Sequence, residues 1–516
     1  MHWADVEAGA LLQRSKSHFI ATGITPSGPI HIGNIRELIT AHCLKRAVED
    51  RGGEATVLYF ADDFDPLRKL YPFLDNDFQE RIGTPLYQLP CPCGEHEDYA
   101  SHFLEPFFKT LENLGIEYEV VYTHKLYEEG RMADIIDVSI THRDMLRQIL
   151  TEVSGRDMGS DWWPYNPKCS KCGKIGKAVP TSYSRPVVKY KCKCGHEGEA
   201  DINKDHGKLA WRVEWPARWH VLGVTCEPFG KDHAAAGGSY ETGSRIIEEV
   251  FKGQPPYPLI YEWIHLKGRG AMSSSKGIAI TGTEMLGMVA PHVTRFMVVK
   301  QQPPKHIDFE PGMGILSLYD EYDKYERVYY DQDDAPLDDI DDWKRIYELS
   351  QTSAPRESMP VQVPYKHLVN LVQMHVDWPG IKKVLLRTGE IKELNAWQEE
   401  LLEARSIRVR YWLDNFAPDM VKFSLQPSPP TMGLTQEERH ALETVVKHLD
   451  KSQWTGEGIH DAIYAAIEET GHKPKAIFKI FYQMLFHMNR GPRLGYFLSN
   501  LEREEVMDRL KLVLAG

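Results

Sequence analysis

Short hydrophobic runs and helix-spaced apolar residues alternate along the first ninety residues. The runs HFIAT at 18–22 and ATVLYFA at 55–61 have the length of buried strands. Between them, apolar residues recur at helical spacing from Ile32 to Val48, and a glycine pair at 52–53 follows. Strand, glycine-rich turn, helix and strand in this order predict one unit of a parallel, nucleotide-binding sheet.

The pattern changes twice further along. From about residue 85 to 205, helical stretches alternate with cysteine-rich loops, and strand and helix signals return at 208–265. One sheet domain interrupted by an insertion explains this order, because each α/β piece alone is too short for a full sheet. After the acidic run at 331–343 strand signals vanish, and Thr435 with Glu438 predicts a helix capping box. We therefore predict an α/β fold, with a Rossmann-like parallel-sheet domain, an insertion and an all-α C-terminal domain, divided at 1–84, 85–205, 206–270, 271–330 and 331–516.

Charge and cysteine content exclude several classes of protein. Lys and Arg number 61 against 74 Asp and Glu, so a generally basic surface is excluded and nucleic-acid contact needs local patches. No run approaches the roughly 20 apolar residues of a membrane span, and the N-terminal segment lacks the pattern of a signal peptide. Most of the eight cysteines are closely spaced, which favours metal binding in a reducing compartment. We expect a cytoplasmic protein without membrane contact, in which Cys43 and Cys226 are buried thiols.

Two cysteine-containing sets have the spacing of metal ligands. Cys169 and Cys172 are separated by two residues, and Cys192 and Cys194 by one. Two short cysteine pairs across a loop are typical of structural zinc with tetrahedral thiolate ligation, and the alternative is four free thiols. A second candidate zinc set is Cys91, Cys93, His96 and His102, for which a reduced loop with chance histidine neighbours is equally open.

Residues 22–34, TGITPSGPIHIGN, place a glycine- and proline-rich turn at the start of the predicted helix. Glycines let the backbone approach a ligand, and the unpaired N–H groups of a helix N-terminus suit phosphate. His31 and Asn34 are three residues apart, on one face of the first turn, and both can donate hydrogen bonds. The alternative is an ordinary turn with an incidental histidine, and the flanking strand and helix weigh against it.

Residues 270–277, GAMSSSKG, combine small hydroxyl side chains with one lysine between glycines. Such a loop can close over a polyphosphate, although alone it would be interpreted as a flexible serine-rich loop. The segments 22–34 and 270–277 together resemble the HIGH and KMSKS signatures of class I aminoacyl-tRNA synthetases. The strings TGITPSGPIHIGNIRE, FADDFDPLRK, WRVEWPARW, FGKDHAAAGGSYETG and MSSSKG resemble the class I lysyl-tRNA synthetase family, over most of residues 18–320 and again in GPRLGYFLSN.

The resemblance implies ATP-dependent attachment of L-lysine to lysine tRNA through a lysyl-adenylate. It implies Mg²⁺ accompanying ATP, structural Zn²⁺ in the insertion and anticodon recognition by the helical domain, and we expect a monomer. The residues implied for catalysis are His31, Asn34 and Lys276. Those implied for ATP binding are Pro26, Gly28, His31, Gly33, Asn34, Gly230, Asp232, Met272, Ser273, Ser274, Ser275 and Lys276. Those implied for lysine binding are Gly23, Thr25, Asp62, Trp211, Glu214, His233 and Tyr261, with Asp63 as a further acidic candidate.

Some of these roles have alternatives. For Trp211 and Tyr261 the alternative is core packing, and for Asp232 it is a helix N-cap. Which carboxylate pairs with the lysine side chain stays open.

The second signature departs from the family pattern. Ala271 and Ser274 stand where the KMSKS motif has lysines. We therefore predict Lys276 as the cation that meets the developing negative charge, while Lys267 and Arg269 lie upstream of the loop.

The C-terminal region offers local cations beside aromatic side chains. Cations can bind RNA phosphates and aromatic faces can stack on unpaired bases, and the alternative is ordinary amphipathic helices with solvated faces. The candidates are Lys473, Lys475, Lys479, Arg490 and Arg493 with Tyr482, Phe486 and Tyr496, and a second set comprises Arg405, Arg408 and Arg410.

Two other functions remain open on the sequence. One is a class I synthetase for arginine or glutamate, although a glutamate pocket should carry a dominant arginine. The other is a non-catalytic zinc-ribbon RNA-binding protein, which the missing KMSKS lysines would allow.

Overall fold

The computed structural model describes residues 1–155, 157–268, 270–272 and 279–516. Contacts within the chain divide it into two compact units. The first unit comprises Met1–Leu286, Pro291–Phe309 and Asp334–Pro355, and the second comprises Gly287–Ala290, Glu310–Asp333 and Arg356–Gly516.

A five-stranded parallel sheet, here called the central sheet, organises the first unit. Its strands lie in the order Tyr257–Tyr261, Cys226–Gly230, Ser17–Ile24, Glu54–Ala61 and Glu119–Tyr122. Both apolar runs expected to form strands do so, and the two α/β segments of the sequence join in one sheet. The edge strand Glu119–Tyr122 lies within the range 85–205 that was predicted as the insertion. The prediction of one parallel sheet interrupted by an insertion is therefore confirmed.

Helices cover the central sheet. Helix Ile32–Glu49 follows the glycine-rich turn, and it buries apolar residues such as Ile35, Leu38 and Ile39 because they recur at helical spacing. The other helices of this unit are Trp3–Arg14, Tyr99–Asn113, Thr123–Glu128, Ala133–Thr141, Arg143–Ser154, Trp211–Leu222, Lys231–Ala234, Ser239–Glu249, Pro291–Val299 and Ile340–Ser350, with short 3₁₀ turns at Asn76–Arg81 and Leu86–Gln88. Helix Gly282–Met288 begins in this unit and ends in the second one.

The insertion contains two small antiparallel sheets. One is formed by Ala178–Ser184, Val187–Cys192 and Glu197–Asp201, and the other pairs Tyr165–Pro167 with Gly207–Leu209. Buried insertion residues such as Val188 and Tyr190 belong to the same hydrophobic core as Leu58 and Phe60 of the central sheet. The insertion therefore shares its core with the domain that it interrupts.

A fourth sheet includes the first residues of the serine-rich segment 270–277. Strand Ile264–Leu266 pairs antiparallel with Gly270–Ala271 and parallel with Ile307–Phe309. Residues 273–278, which follow this hairpin, lie outside the described residues.

The second unit is helical. Its helices are Gly314–Tyr329, Tyr365–Met374, Trp378–Thr388, Ala396–Asn415, Gln436–Lys451, Gly456–Thr470, Pro474–Phe486, Leu494–Leu498 and Arg503–Ala515, with a 3₁₀ turn at Asp419–Val421. Residues 310–516 are all described and contain no strand, which confirms the prediction of an all-α C-terminal region. The predicted capping box is present, because Thr435 Oγ1 accepts from the Glu438 N–H at 3.1 Å and a Glu438 carboxylate oxygen accepts from the Thr435 N–H at 2.9 Å.

Within the described part of the chain, no helix combines the length and hydrophobicity needed to cross a lipid bilayer.

Candidate active site

A cavity of about 410 Å³ opens at the carboxyl ends of the central strands. This is where parallel α/β sheets bind their ligands, because loops and helix N-termini converge there. The cavity brings together residues that are more than 200 positions apart in the sequence. The predicted site residues among its lining are Gly23, Thr25, His31, Gly33, Asn34, Asp62, Trp211, Gly230, Asp232, His233, Tyr261 and Met272.

A second cavity of about 530 Å³ shares His31, Asn34 and Met272 with the first and includes Gly28. Its outer part is lined by the cations Arg68 and Lys69 and by two aromatic rings, Tyr71 and Phe73, that stack 5.4 Å apart. These four residues were not predicted from the sequence, although Arg68 and Lys69 belong to the string FADDFDPLRK. Pro26 is buried and lines neither cavity.

The His31 side chain caps the helix that it precedes. Its Nδ1 accepts from the Gly33 N–H at 3.2 Å, and the Asn34 side-chain oxygen accepts from the His31 N–H at 3.3 Å. Burial lowers the pKa of His31 to about 4, so the ring is neutral at pH 7. Because Nδ1 is an acceptor, Nε2 carries the hydrogen and is available as a donor. A Cβ at position 33 would lie 2.9 Å from the imidazole, which explains the glycine there.

Glu37 lies one turn further along the same helix and was missed by the sequence analysis. It lines the cavity, and it accepts from the Gly23 N–H at 2.9 Å and from the Tyr261 hydroxyl at 2.5 Å. Burial raises the pKa of Glu37 to about 8. Its position three residues after Asn34, on the same helix face, is the signal that could have identified it.

Asp62 reaches the cavity but already has a cationic partner. Its carboxylate pairs with the Arg218 guanidinium and accepts from the Thr123 hydroxyl at 2.9 Å. Arg218, another lining residue that was not foreseen, also lies over the Phe60 ring. The charge of Asp62 is therefore balanced within the protein.

The other two carboxylates predicted for lysine binding do not line the cavity. Glu214 is fully buried, where it accepts from the Tyr127 hydroxyl at 2.6 Å and pairs with Lys208 Nζ at 2.9 Å. Asp63 is buried against His124, whose backbone N–H donates to it at 3.0 Å. Both carboxylates hold parts of the fold together behind the cavity.

Aromatic side chains form one wall of the cavity. Trp211 and Trp215 stack with ring centroids 5.5 Å apart, and the His233 ring lies 5.5 Å and 5.3 Å from them. Glu227 fixes this wall from behind, because it accepts the indole N–H of Trp215 at 2.8 Å and that of Trp219. Trp211 and His233 therefore lie where the resemblance put them, while Trp215 and Glu227 are additions.

The structure describes only some of the residues predicted to bind ATP. Asp232 lies in the short helix Lys231–Ala234, whose N-cap is Gly230, and the next helix is capped by Gly238. The alternative of Asp232 as a helix N-cap was therefore wrong. The predicted residues Ser273, Ser274, Ser275 and Lys276 lie outside the described residues.

The four cysteines of the insertion that were predicted to bind zinc, Cys169, Cys172, Cys192 and Cys194, lie close together with the geometry of a zinc site. All four sulfur atoms lie within 4.8 Å of one another, with Cys169–Cys194 at 3.7 Å and Cys172–Cys192 at 3.8 Å. Tetrahedral Zn–S bonds of about 2.3 Å place sulfurs about 3.8 Å apart, so the set fits Zn²⁺.

The second set also converges. Cys91 Sγ lies 3.6 Å from Nδ1 of both His96 and His102, and Cys93 Sγ lies 3.4 Å and 3.2 Å from the same atoms. Mixed sulfur and nitrogen ligands of one tetrahedral zinc ion are separated by about 3.5 Å, so this set fits as well. The cysteines at 43 and 226 are buried thiols, as predicted.

The candidate RNA-binding residues are not equally accessible. Tyr496 is 51% exposed, and the Arg493 guanidinium lies 5.0 Å from its ring centre. Phe486, in contrast, is buried in the helical core, so its expected stacking on bases is wrong for this structure.

The second arginine set also differs from the expectation of RNA contact. Arg405 pairs with the buried Asp323 at 2.6 Å, and Arg410 donates to backbone carbonyls of Val372 and His375. These two side chains therefore stabilise the helical unit.

Known proteins are similar to this chain along its whole length. The family model described as tRNA synthetases class I (K) matches residues 1–353, and the model of an anticodon binding domain matches residues 390–514. The lysine–tRNA ligase of Picrophilus torridus is 41% identical over 515 residues, covering 100% of this chain and 99% of that protein. Those of Archaeoglobus fulgidus and Thermoplasma acidophilum are each 42% identical, covering 100% of this chain and 100% and 99% of those proteins. The chain therefore belongs to the class I (K) family of tRNA synthetases.

Proposed function

We propose that the protein attaches L-lysine to lysine tRNA in an ATP-dependent reaction that passes through a lysyl-adenylate. The observation that carries the amino-acid assignment is Glu37, a buried carboxylate at one end of an aromatic-walled cavity. The relatives named lysine–tRNA ligase align with the full length of the chain, which supports the same assignment.

Glu37 is the carboxylate best placed to bind the ε-ammonium group. Of the other carboxylates that line the described part of the cavity, Asp62 is neutralised by Arg218, and Glu227 lies behind the aromatic wall and is also influenced by the charge of Arg218. Asp232 lies in the short helix Lys231–Ala234, which is assigned to the ribose. Glu37 accepts from two neutral donors, the Gly23 N–H and the Tyr261 hydroxyl. An incoming ammonium favours the ionised form of Glu37, whose pKa burial raises to about 8 in the free protein.

The same geometry disfavours the two alternative amino acids. A glutamate substrate needs an arginine with unsatisfied charge, whereas the Arg218 guanidinium is paired with Asp62. A planar guanidinium prefers both oxygens of a carboxylate, but Glu37 already uses one for Gly23 and the other for Tyr261. A compact ammonium group fits this arrangement better than either.

The rest of the lysine substrate is assigned to the residues between Glu37 and the turn. Trp211 and His233 contact the aliphatic stem, and Thr25 lies at the α-amino and carboxylate end. Gly23, which was expected at that end, donates to Glu37 and therefore lies at the ε-ammonium end. The Thr25 hydroxyl donates to Asp65 at 3.2 Å, which holds this part of the turn in place. The lysine carboxylate then lies near the helix N-terminus, where ATP phosphates are expected.

His31 and Asn34 act on the phosphates of ATP. The neutral His31 ring presents its Nε2–H, and the helix N-terminus adds positive potential without a mobile charge. Gly230 and Asp232 hold the ribose, Pro26, Gly28 and Gly33 shape the turn, and Met272 with residues 273–276 covers the nucleotide.

The reaction needs no covalent enzyme intermediate. The lysine carboxylate attacks the α-phosphorus of ATP and pyrophosphate leaves, and the terminal ribose hydroxyl of tRNA then attacks the adenylate carbonyl. Catalysis comes from positioning and from charge stabilisation by His31, Asn34 and Lys276, with Mg²⁺ bound to ATP.

Structural zinc is proposed at both cysteine-containing sets. Cys169, Cys172, Cys192 and Cys194 hold one ion in the insertion, and Cys91, Cys93, His96 and His102 hold the other. Zinc at these positions supplies local folding energy and takes no part in the reaction.

The helical unit is proposed to bind the anticodon of lysine tRNA. The matched anticodon-binding region, residues 390–514, lies inside the predicted 331–516 domain. Arg493 with Tyr496 is the pair best suited to a phosphate and an unpaired base, with Lys473, Lys475, Lys479 and Arg490 as further cations. We also propose that the enzyme is monomeric and cytoplasmic.

ATP–pyrophosphate exchange tests the function directly. We expect exchange with lysine and little with arginine or glutamate, each measured with and without lysine tRNA. Exchange with arginine or glutamate in place of lysine would overturn the substrate, and no exchange under any condition would support a non-catalytic RNA-binding protein.

A further inference from the structure

Two histidines and an aspartate converge on the sheet that precedes the serine-rich loop. His265 lies directly opposite Asp308 across the parallel strands Ile264–Leu266 and Ile307–Phe309, and His306 precedes the second strand. The imidazole rings of His265 and His306 stack, with centroids 5.3 Å apart and planes 24° apart. His306 Nε2 lies 3.4 Å from Asp308 Oδ2, and one ligand atom from each of the three residues lies within 4.8 Å of the others.

The distance between His306 and Asp308 matches that between two ligands of one metal ion, and His265 lies near enough to be a third ligand. Nitrogen and oxygen ligands at about 2.0–2.1 Å from a tetrahedral ion are about 3.3–3.4 Å apart. The measured 3.4 Å between His306 and Asp308 already has this value, and His265 needs a side-chain adjustment to join. We propose that His265, His306 and Asp308 bind a divalent transition-metal ion of the Zn²⁺ class, separate from the two cysteine-containing sets.

The closeness of His306 and Asp308 could instead be explained by a surface ion pair. His306 and Asp308 are 56% and 58% exposed, and an ion pair so exposed contributes little to stability. It would also give no role to the second imidazole, which stacks on the first and would repel it if both were protonated. Two neutral imidazoles and one carboxylate are instead a common ligand set for borderline divalent metals.

The position of the site links it to the loop. Ala271 pairs with His265 on the other edge of the strand, and Met272, which follows, lines the candidate active site. Ile264 also lines that cavity, one residue before His265. An ion held by His265 and Asp308 therefore ties the base of the loop-bearing hairpin to strand Ile307–Phe309, without contacting substrate.

Metal titration of the intact protein tests the site. The protein is purified with zinc in its cysteine-containing sets, freed of loosely bound metal, and titrated with Co²⁺, which thiolate-bound zinc resists exchanging. We expect one additional equivalent of Co²⁺, with visible ligand-field bands but no sulfur-to-cobalt charge-transfer band. His306→Ala and Asp308→Asn should each weaken this binding at least about tenfold.

The exposed His142 provides the matched control, because His142→Ala removes an imidazole far from the cluster in sequence. It should bind the extra Co²⁺ as the wild type does. Circular dichroism of each variant checks the fold, which these exposed positions should leave intact. No additional Co²⁺ on the wild type, a sulfur charge-transfer band, or equal binding by His306→Ala and wild type would each overturn the proposal.

Discussion

The Tyr261 hydroxyl donates to Glu37 Oε2 across 2.5 Å, joining two residues that are 224 positions apart. The hydrogen bond holds the Glu37 carboxyl group in the wall of the cavity, where burial disfavours its ionised form until a cation binds. Lysine recognition is therefore expected to depend on this pair.

Glu37→Gln keeps the shape of the side chain and one of its two acceptor oxygens but removes its charge. We expect lysine affinity to fall about 100-fold, the size of roughly 2–3 kcal/mol for a buried charge-assisted contact. Calorimetric lysine binding measures this, with Glu49→Gln as a control on the exposed end of the same helix. A change below about threefold would remove Glu37 from lysine recognition.

Lysine binding should be tighter at pH 8 than at pH 6. In the free protein burial raises the pKa of Glu37 to about 8, whereas a bound ammonium favours the ionised carboxylate. Binding therefore releases a proton, and affinity falls as the pH drops below about 8, by up to about tenfold per unit. Titrations from pH 6 to 8 should show this slope, and Glu37→Gln should lose most of it. The same slope in both proteins would assign the titration to another group.

His31→Ala should slow adenylate formation far more than it weakens lysine binding, because Nε2 acts on phosphate charge that grows in the transition state. Alanine also removes the helix cap, so His31→Asn, which can retain the cap, is the matched variant. Both should show the slow rate in single-turnover experiments. A normal rate in His31→Asn would show that His31 is needed for the cap alone.

Lys276→Ala should reduce the activation rate by about 10²–10³-fold, the usual effect of removing a positioned charge. Lysine affinity should change little, and Lys267→Ala should have a milder effect because it precedes the loop. Single-turnover adenylate formation compares the two variants. If Lys267→Ala loses the activity and Lys276→Ala retains it, Lys267 is the catalytic cation.

Zinc analysis of the purified protein, freed of loosely bound metal, should give two ions per chain, one in each cysteine-containing set. Cys169→Ser should remove one ion and lower thermal stability, and Cys93→Ser should remove the other independently. A folded wild-type protein with no zinc would contradict both sites. A single ion that is lost only in Cys169→Ser would mean that zinc binds to the set containing Cys169 and not to the set containing Cys93.

Features defined by neighbouring residues were predictable from the sequence. The turn at 22–34 and the cysteine spacings depend on a few consecutive positions, and both give the expected local arrangement. The proposed partner of the lysine side chain was harder to predict. Its spacing from Asn34 puts Glu37 on the right helix face, but only strand Tyr257–Tyr261 brings the Tyr261 hydroxyl to it. Glu214 shows the opposite case: it was predicted to bind the lysine substrate, but in the fold its carboxylate is buried and pairs with Lys208.

The strand order of the central sheet has a consequence for synthesis on the ribosome. Strand Ser17–Ile24 pairs with Cys226–Gly230, which is synthesised about 200 residues later, so one edge of the first strand stays unpaired until then. At about 5–20 residues per second this takes roughly 10–40 s, during which an unpaired edge is open to aggregation. The whole insertion emerges in that interval, and its core continues into that of the sheet. In zinc-poor medium we therefore expect less soluble protein, with unchanged activity per folded molecule.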